Sequence, residues 1–130
     1  MAKPIILIVD DDKAFTDKFV EFLNISFDCT VIVRNSSDRV AYVVKDEKVD
    51  VLFQDIHLPG PGGFEIVKRL KELKLDDVKV FLITSWKEGA YIKKSADLGV
   101  EYLPKPISFK LLQQTLGELF DKKGFDYKKK

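Results

Sequence analysis

The chain is poor in the residues that build covalent or metal staples. It has one cysteine, Cys29, and one histidine, His57, in 130 residues. A lone cysteine excludes an intramolecular disulfide, and Cys29 reads as a small buried hydrophobe. A lone histidine excludes a zinc site built from several imidazoles. No apolar stretch approaches the ~20 residues that a membrane helix needs, and Met1-Ala2-Lys3-Pro4 opens no signal peptide. A cytoplasmic protein with no membrane partner is expected. Neither G-x-x-x-x-G-K-[ST] nor G-x-G-x-x-G occurs, so no glycine loop that cradles a nucleotide is expected. An excess of one charge is missing too: 22 basic and 21 acidic residues leave a formal charge of +1.

That balance hides an asymmetry. Residues 122–130 hold five lysines and one acid, and the remaining body carries 17 basic against 20 acidic residues. A body with three net negative charges is not a nucleic-acid surface. The expected organisation is one domain over residues 1–121 and a basic tail or linker stub, 122–130, that frays. Hydrophobic residues make up 45% and charged residues 33% of the chain, a globular composition. A chain this long buries roughly two-thirds of its unfolded surface, enough for a core without staples.

Residues 51–63 organise the rest. Val51, Leu52 and Phe53 form a buried apolar run, as in a strand of a parallel sheet. The run ends on Asp55, and Pro59, Gly60, Pro61, Gly62 and Gly63 then break it. Asp55 therefore stands at the carboxyl end of a strand, the edge where open α/β sheets bind ligands.

Four more strands follow from similar runs: residues 5–9, 30–33, 80–83 and 101–103. Helical spacing fills the gaps. Phe15, Phe19, Phe22 and Leu23 make one stripe, with Asp12 as N-cap. Asn35, Ser36 and Ser37 supply capping groups for a short helix carrying Val40, Val43 and Val44. Ile66, Val67, Leu70 and Leu73 form the face of the next helix. Residues 87–98 form a further helix with Ile92 and Ala96 inward, stopped by Gly99. Ser108 caps the last, which turns Leu112, Leu116, Leu119 and Phe120 inward. Five strands alternating with five helices predict an α/β fold, a doubly wound five-stranded parallel sheet with right-handed crossovers and strand order 2-1-3-4-5.

In such a sheet every strand ends on one edge. The strand-ending residues are Asp10 and Asp11, then Asp55, then Thr84 and Ser85, then Lys105. Clustered carboxylates repel, and a hard divalent cation such as Mg²⁺ removes the conflict. Lysine adds a point charge suited to a phosphate oxygen, and threonine a hydroxyl donor. The set describes phosphoryl transfer, with Asp55 itself a candidate acceptor. Two other readings share these residues. A binding module of the same fold would work without phosphate. A phosphatase with an aspartyl nucleophile would use the D-x-D spacing of Asp10 and Asp12.

Together, Asp10-Asp11, Asp55 with Pro59 and Gly63, Thr84-Ser85 and Lys105-Pro106 make the chain resemble the receiver domain of two-component response regulators, a flavodoxin-like fold. The resemblance spans residues 4–120 and implies a phosphorylation-activated signalling switch rather than an enzyme. It implies Asp55 as phosphoacceptor and Mg²⁺ held by Asp10, Asp11, Asp55 and the backbone carbonyl of His57, Asp10 through water. It implies Thr84 and Lys105 on the phosphoryl oxygens, Tyr102 as the aromatic switch partner of Thr84, and a cis Lys105–Pro106 bond. His57 and Trp86 would tune how fast the acyl phosphate hydrolyses. The donor would be a sensor histidine kinase or phosphotransfer protein, and the output a downstream protein target or a fused domain. Tyr91, Lys93, Lys94, Lys110 and Gln113 would lie on the partner-facing surface. The sequence departs from the family's pattern at Gly62, where a polar residue is common.

Overall fold

A computed structural model describes residues 2–75, 77–86 and 89–129. Ten elements alternate along it: β1 Ile5–Val9, α1 Lys13–Ser26, β2 Thr30–Arg34, α2 Val40–Asp46, β3 Val51–Asp55, α3 Gly63–Glu72, β4 Lys79–Thr84, α4 Gly89–Asp97, β5 Glu101–Pro104 and α5 Phe109–Lys123. The five strands form one sheet in the order β2-β1-β3-β4-β5, every pair parallel. That is the doubly wound order expected from the sequence.

Strand alternation sorts the apolar residues onto two faces. Leu7, Val9, Leu52 and Leu82 point toward Val40 and Val44 of α2 and Ile66, Val67 and Leu70 of α3. Ile6, Ile8, Phe53, Phe81 and Ile83 point the other way, toward Phe19 and Leu23 of α1 and Leu112, Leu116 and Phe120 of α5. The second face is largely aromatic: Phe19 meets Phe53 edge-on at 4.8 Å, and Phe53 stacks on Phe81 at 4.8 Å. Each such ring buried contributes about 1.5–3 kcal/mol from surface removal alone.

Several local expectations fail, each for a visible reason. The capping groups at 35–37 do not cap α2. Its N-cap is Arg39, in the left-handed region at φ 63°, with no side-chain cap bond. The Ser37 hydroxyl instead accepts from the amide of Gln54 inside the core. In α3 the inward face stops at Leu70. Leu73 is the C-cap and stays exposed. Helix α4 presents a different face: Ile92 is 58% exposed and Ala96 is exposed, whereas Ser95 is buried. Ser95 can go inside because its hydroxyl donates to the Tyr91 carbonyl at 2.7 Å. The first two residues expected in α4, Lys87 and Glu88, lie outside the described residues.

The carboxy-terminal segment is docked rather than frayed through residue 127. Lys122 and Lys123 belong to α5, and Gly124 caps it in the left-handed region at φ 74°. The amide of Asp126 donates to the Ala2 carbonyl at 3.1 Å, and that of Asp28 to the Tyr127 carbonyl at 2.7 Å. Phe125 packs on Phe120, and Tyr127 on Phe27 and Phe120.

One backbone approach fixes how α3 leaves the loop after β3. A Cβ on Gly63 would stand 2.9 Å from the Ile56 Cα and 3.2 Å from Leu82 Cδ2. The nearest of these atoms is backbone and cannot swing aside, so Gly63→Ala is expected to destabilise the fold by about 1–3 kcal/mol. Thermal denaturation checks this, and an unchanged melting temperature contradicts it.

Candidate functional site

The sheet order makes β1, β3, β4 and β5 consecutive neighbours. All run the same way, so their carboxyl ends share one edge. Asp10 follows β1, Asp55 closes β3, Thr84 closes β4 and Lys105 follows β5. These four residues, with Asp11, meet there.

Asp10 is 2% exposed. Its Oδ1 accepts from the Asp12 amide at 3.0 Å, and its Oδ2 pairs with the Lys105 ammonium at 2.6 Å. Asp55 is also buried. Its Oδ1 accepts from the His57 amide at 3.0 Å, and its Oδ2 lies 3.8 Å from the same ammonium. Asp11 is exposed, yet Asp10, Asp11 and Asp55 each bring a carboxylate oxygen within 4.8 Å of the others. Oxygen donors packed so closely suit a hard divalent cation. Beside them opens a cleft of about 400 Å³ lined by Asp10, Asp11, Lys13, Thr16, Asp17, Val33, Arg34 and Asn35. A groove of about 410 Å³ between α2 and α3, bordered by Arg39, Tyr42 and Arg69, shares no residue with the acids.

Thr84 is 1% exposed, and its Oγ1 accepts from the Trp86 amide at 3.1 Å. The Trp86 carbonyl in turn accepts from the Tyr102 hydroxyl at 3.0 Å. The Lys105 amide donates to the Thr84 carbonyl at 2.8 Å, and the Lys105–Pro106 bond is cis. The imidazole of His57 is engaged away from the acids. Its Nε2 shares a hydrogen bond with Tyr91 Oη at 2.9 Å, and its ring lies 4.1 Å from that of Trp86. Of the expected partner-surface residues, Tyr91 is thus turned partly inward, and Lys94 sits 4.5 Å over the Phe64 ring. Lys93, Lys110 and Gln113 are exposed.

Three neighbours of the site were not legible as such. Phe15, read only as part of a helix stripe, has the Lys105 ammonium 4.3 Å from its ring centre. Gln54, fully buried beside Asp55, donates to Ser37 Oγ at 3.0 Å and to the Asp55 carbonyl at 2.9 Å. An amide in an otherwise apolar strand was the available signal. Tyr91 was expected only on the partner-facing surface, and nothing in its spacing pointed to His57.

Burial pushes the Asp55 carboxyl up from 3.8 to about 6. The His57 amide opposes this, the Asp10 charge adds to it, and Lys105 opposes it. The folded chain therefore holds a proton on Asp55 that the unfolded chain releases between pH 3.8 and 6. Stability from this group falls as pH rises through that window and stays lost above it. In metal-free buffer Asp55→Asn is expected to melt above wild type at pH 8. That gain should shrink to nothing near pH 4; a gain independent of pH contradicts the assignment.

The family model described as the response regulator receiver domain matches residues 6–117. The sensory transduction protein LytT of Bacillus subtilis is 35% identical over 112 residues, covering 85% of this chain and 46% of that protein. A cyclic di-GMP phosphodiesterase of Thermotoga maritima is 29% identical over 109 residues, covering 83% of this chain and 28% of that protein. The chain thus spans less than half the length of these curated relatives. Among solved structures, the signal receiver domain of a DNA binding response regulator from Colwellia psychrerythraea superposes with a TM-score of 0.85 at 26% identity, covering 92% of this chain and 99% of that one. Fold, strand-end acids and family match agree: this chain belongs to the receiver domains of two-component response regulators.

Proposed function

We propose that the domain is a phosphorylation-activated switch whose acceptor is Asp55. The carrying observation is charge: three carboxylates lie within 4.8 Å of one another and one ammonium sits beside two of them, which leaves two formal negative charges over. Mg²⁺ would be held by Asp10, Asp11, Asp55 and the backbone carbonyl of His57. When bound it would neutralise the acids and the oxygens of an incoming phosphoryl group.

The chain's own residues do the rest. With its carboxyl titrating at about 6, Asp55 is mostly ionised at neutral pH, as a nucleophile must be. One Asp55 oxygen attacks the phosphorus of a phosphohistidine on a sensor histidine kinase or phosphotransfer protein. The O–P bond forms as the N–P bond breaks, and the imidazole nitrogen keeps the electron pair. Lys105 and the Thr84 hydroxyl receive the phosphoryl oxygens. Later, water attacks phosphorus and the bond to Asp55 breaks, releasing phosphate.

The path outward runs through one peptide. Trp86 donates its amide to Thr84 and accepts from Tyr102 with its carbonyl. A Thr84 hydroxyl that turns toward the phosphoryl group gives up the Trp86 amide. This loosens the group that anchors Tyr102. The surface around α4, β5 and α5 then changes for a downstream target or a fused output domain. That the relatives extend well beyond the region aligned with this chain supports the second arrangement.

Incubation with acetyl phosphate and Mg²⁺, followed by intact mass measurement, is expected to add one phosphoryl group to wild type and none to Asp55→Asn. Chelating the metal should stop the reaction, and Lys105→Met should slow it by about 10²-fold, as for loss of a single charge-stabilising donor. Uptake by Asp55→Asn would sink the proposal. The Trp86 ring, 55% exposed and packed on His57, would limit water near the acyl phosphate. Trp86→Ala should shorten its lifetime, measured by phosphate release; an equal lifetime removes Trp86 from this role.

A further inference from the structure

We infer that Phe15 is a positioning residue for phosphoryl transfer, its ring holding the Lys105 ammonium beside Asp55 by a cation–π contact. The inference rests on the reading of Asp55 and Lys105 given above and extends it to a residue outside the acid set. Lysine ends a flexible four-carbon stem, so its ammonium stays at a site only if something holds it. Three partners surround this one. Asp10 Oδ2 lies at 2.6 Å, Asp55 Oδ2 at 3.8 Å and the centre of the Phe15 ring at 4.3 Å. The ring lies well within the ~6 Å range of a cation–π attraction.

The two acids are unreliable anchors during the reaction. Asp10 would share its charge with a bound cation, and Asp55 loses its free carboxylate on accepting the phosphoryl group. The ring quadrupole changes in neither event. Phe15 is the one partner of the three whose attraction survives the whole cycle.

The ring is itself fixed from both ends. Its backbone amide donates to Asp12 Oδ1, the N-cap of α1, at 3.1 Å. Its edge packs on Phe19 at 5.5 Å and 74°, and Phe19 packs on Phe53, two residues before the acceptor. The ring therefore takes its position from the strand that carries Asp55. On the other side, the Lys105 backbone is pinned to Thr84.

The test uses acetyl phosphate as donor, because a small donor reports the site without any protein docking on α1. At saturating Mg²⁺, Phe15→Leu should slow phosphorylation by about two- to thirty-fold, the range that a lost cation–π contact gives. Phe15→Tyr should retain the wild-type rate. In a Lys105→Met background, Phe15→Leu should slow the reaction no further. Separately, the ε-methylene resonance of Lys105 should lie upfield from the ring current and return to the ordinary lysine position in Phe15→Leu. A wild-type rate in Phe15→Leu, or an equal slowing with and without Lys105, overturns the inference. So does an ε-methylene resonance unchanged in Phe15→Leu. Wild type that takes up no phosphoryl group overturns the reading of the site instead.

Discussion

Three carboxylates crowded together, with one ammonium beside two of them, set the terms for everything at the carboxyl edge of this sheet. Like charges a few ångströms apart in a partly buried pocket cannot all ionise cheaply. At an effective dielectric of about 20, a unit pair at 4 Å is worth roughly 4 kcal/mol, so one lysine cannot balance three acids. Burial, with the Asp10 charge adding to it, raises the Asp55 carboxyl to about 6. The fold tolerates the cost because hydrogen bonds hold the acids from behind. Asp10 takes the Asp12 amide, and Asp55 takes the His57 amide.

The same arrangement links the site to the surface. Trp86 sits between Thr84 and Tyr102 through its two backbone groups. Its ring leans on His57, whose imidazole reaches Tyr91 of α4. An aromatic pair of this kind is worth about 0.5–1.5 kcal/mol beyond area burial. Such contacts are strong enough to hold one arrangement and weak enough to exchange it. The loops after β3 and β4 and helix α4 are thus tied together at the place where a phosphoryl group on Asp55 would act. A second tie lies beneath Asp55, where Gln54 joins its carbonyl to Ser37 in the loop after β2.

Local sequence signals worked where one face dominated. The β1 and β3 runs, the Asp12 and Ser108 caps and the α5 face were all legible, because each element buries one unambiguous apolar set. They failed where burial was shared between polar and apolar groups. In α4 the sparse apolar residues fitted more than one phase. A serine that satisfies itself on Tyr91 took the place expected for Ile92 or Ala96. Ser37 could cap a helix or join a buried amide, and only the position of Gln54 decided between them. The basic tail looked unstructured by charge, yet Phe125 and Tyr127 found an aromatic floor made by Phe27 and Phe120.

By itself the amino-acid order determined the alternation of strands and helices, hence a parallel sheet, and the strand ends on which Asp10, Asp55, Thr84 and Lys105 emerge. Those follow from short-range periodicity and chain ends, which are local properties. What surrounds each of them was a matter of packing between distant segments. The ring of Phe15 under the lysine, the imidazole of His57 on Tyr91 and the amide of Gln54 on Ser37 depend on crossovers that bring residue 15 to 105, 57 to 91 and 54 to 37. Linear spacing carries no record of those distances.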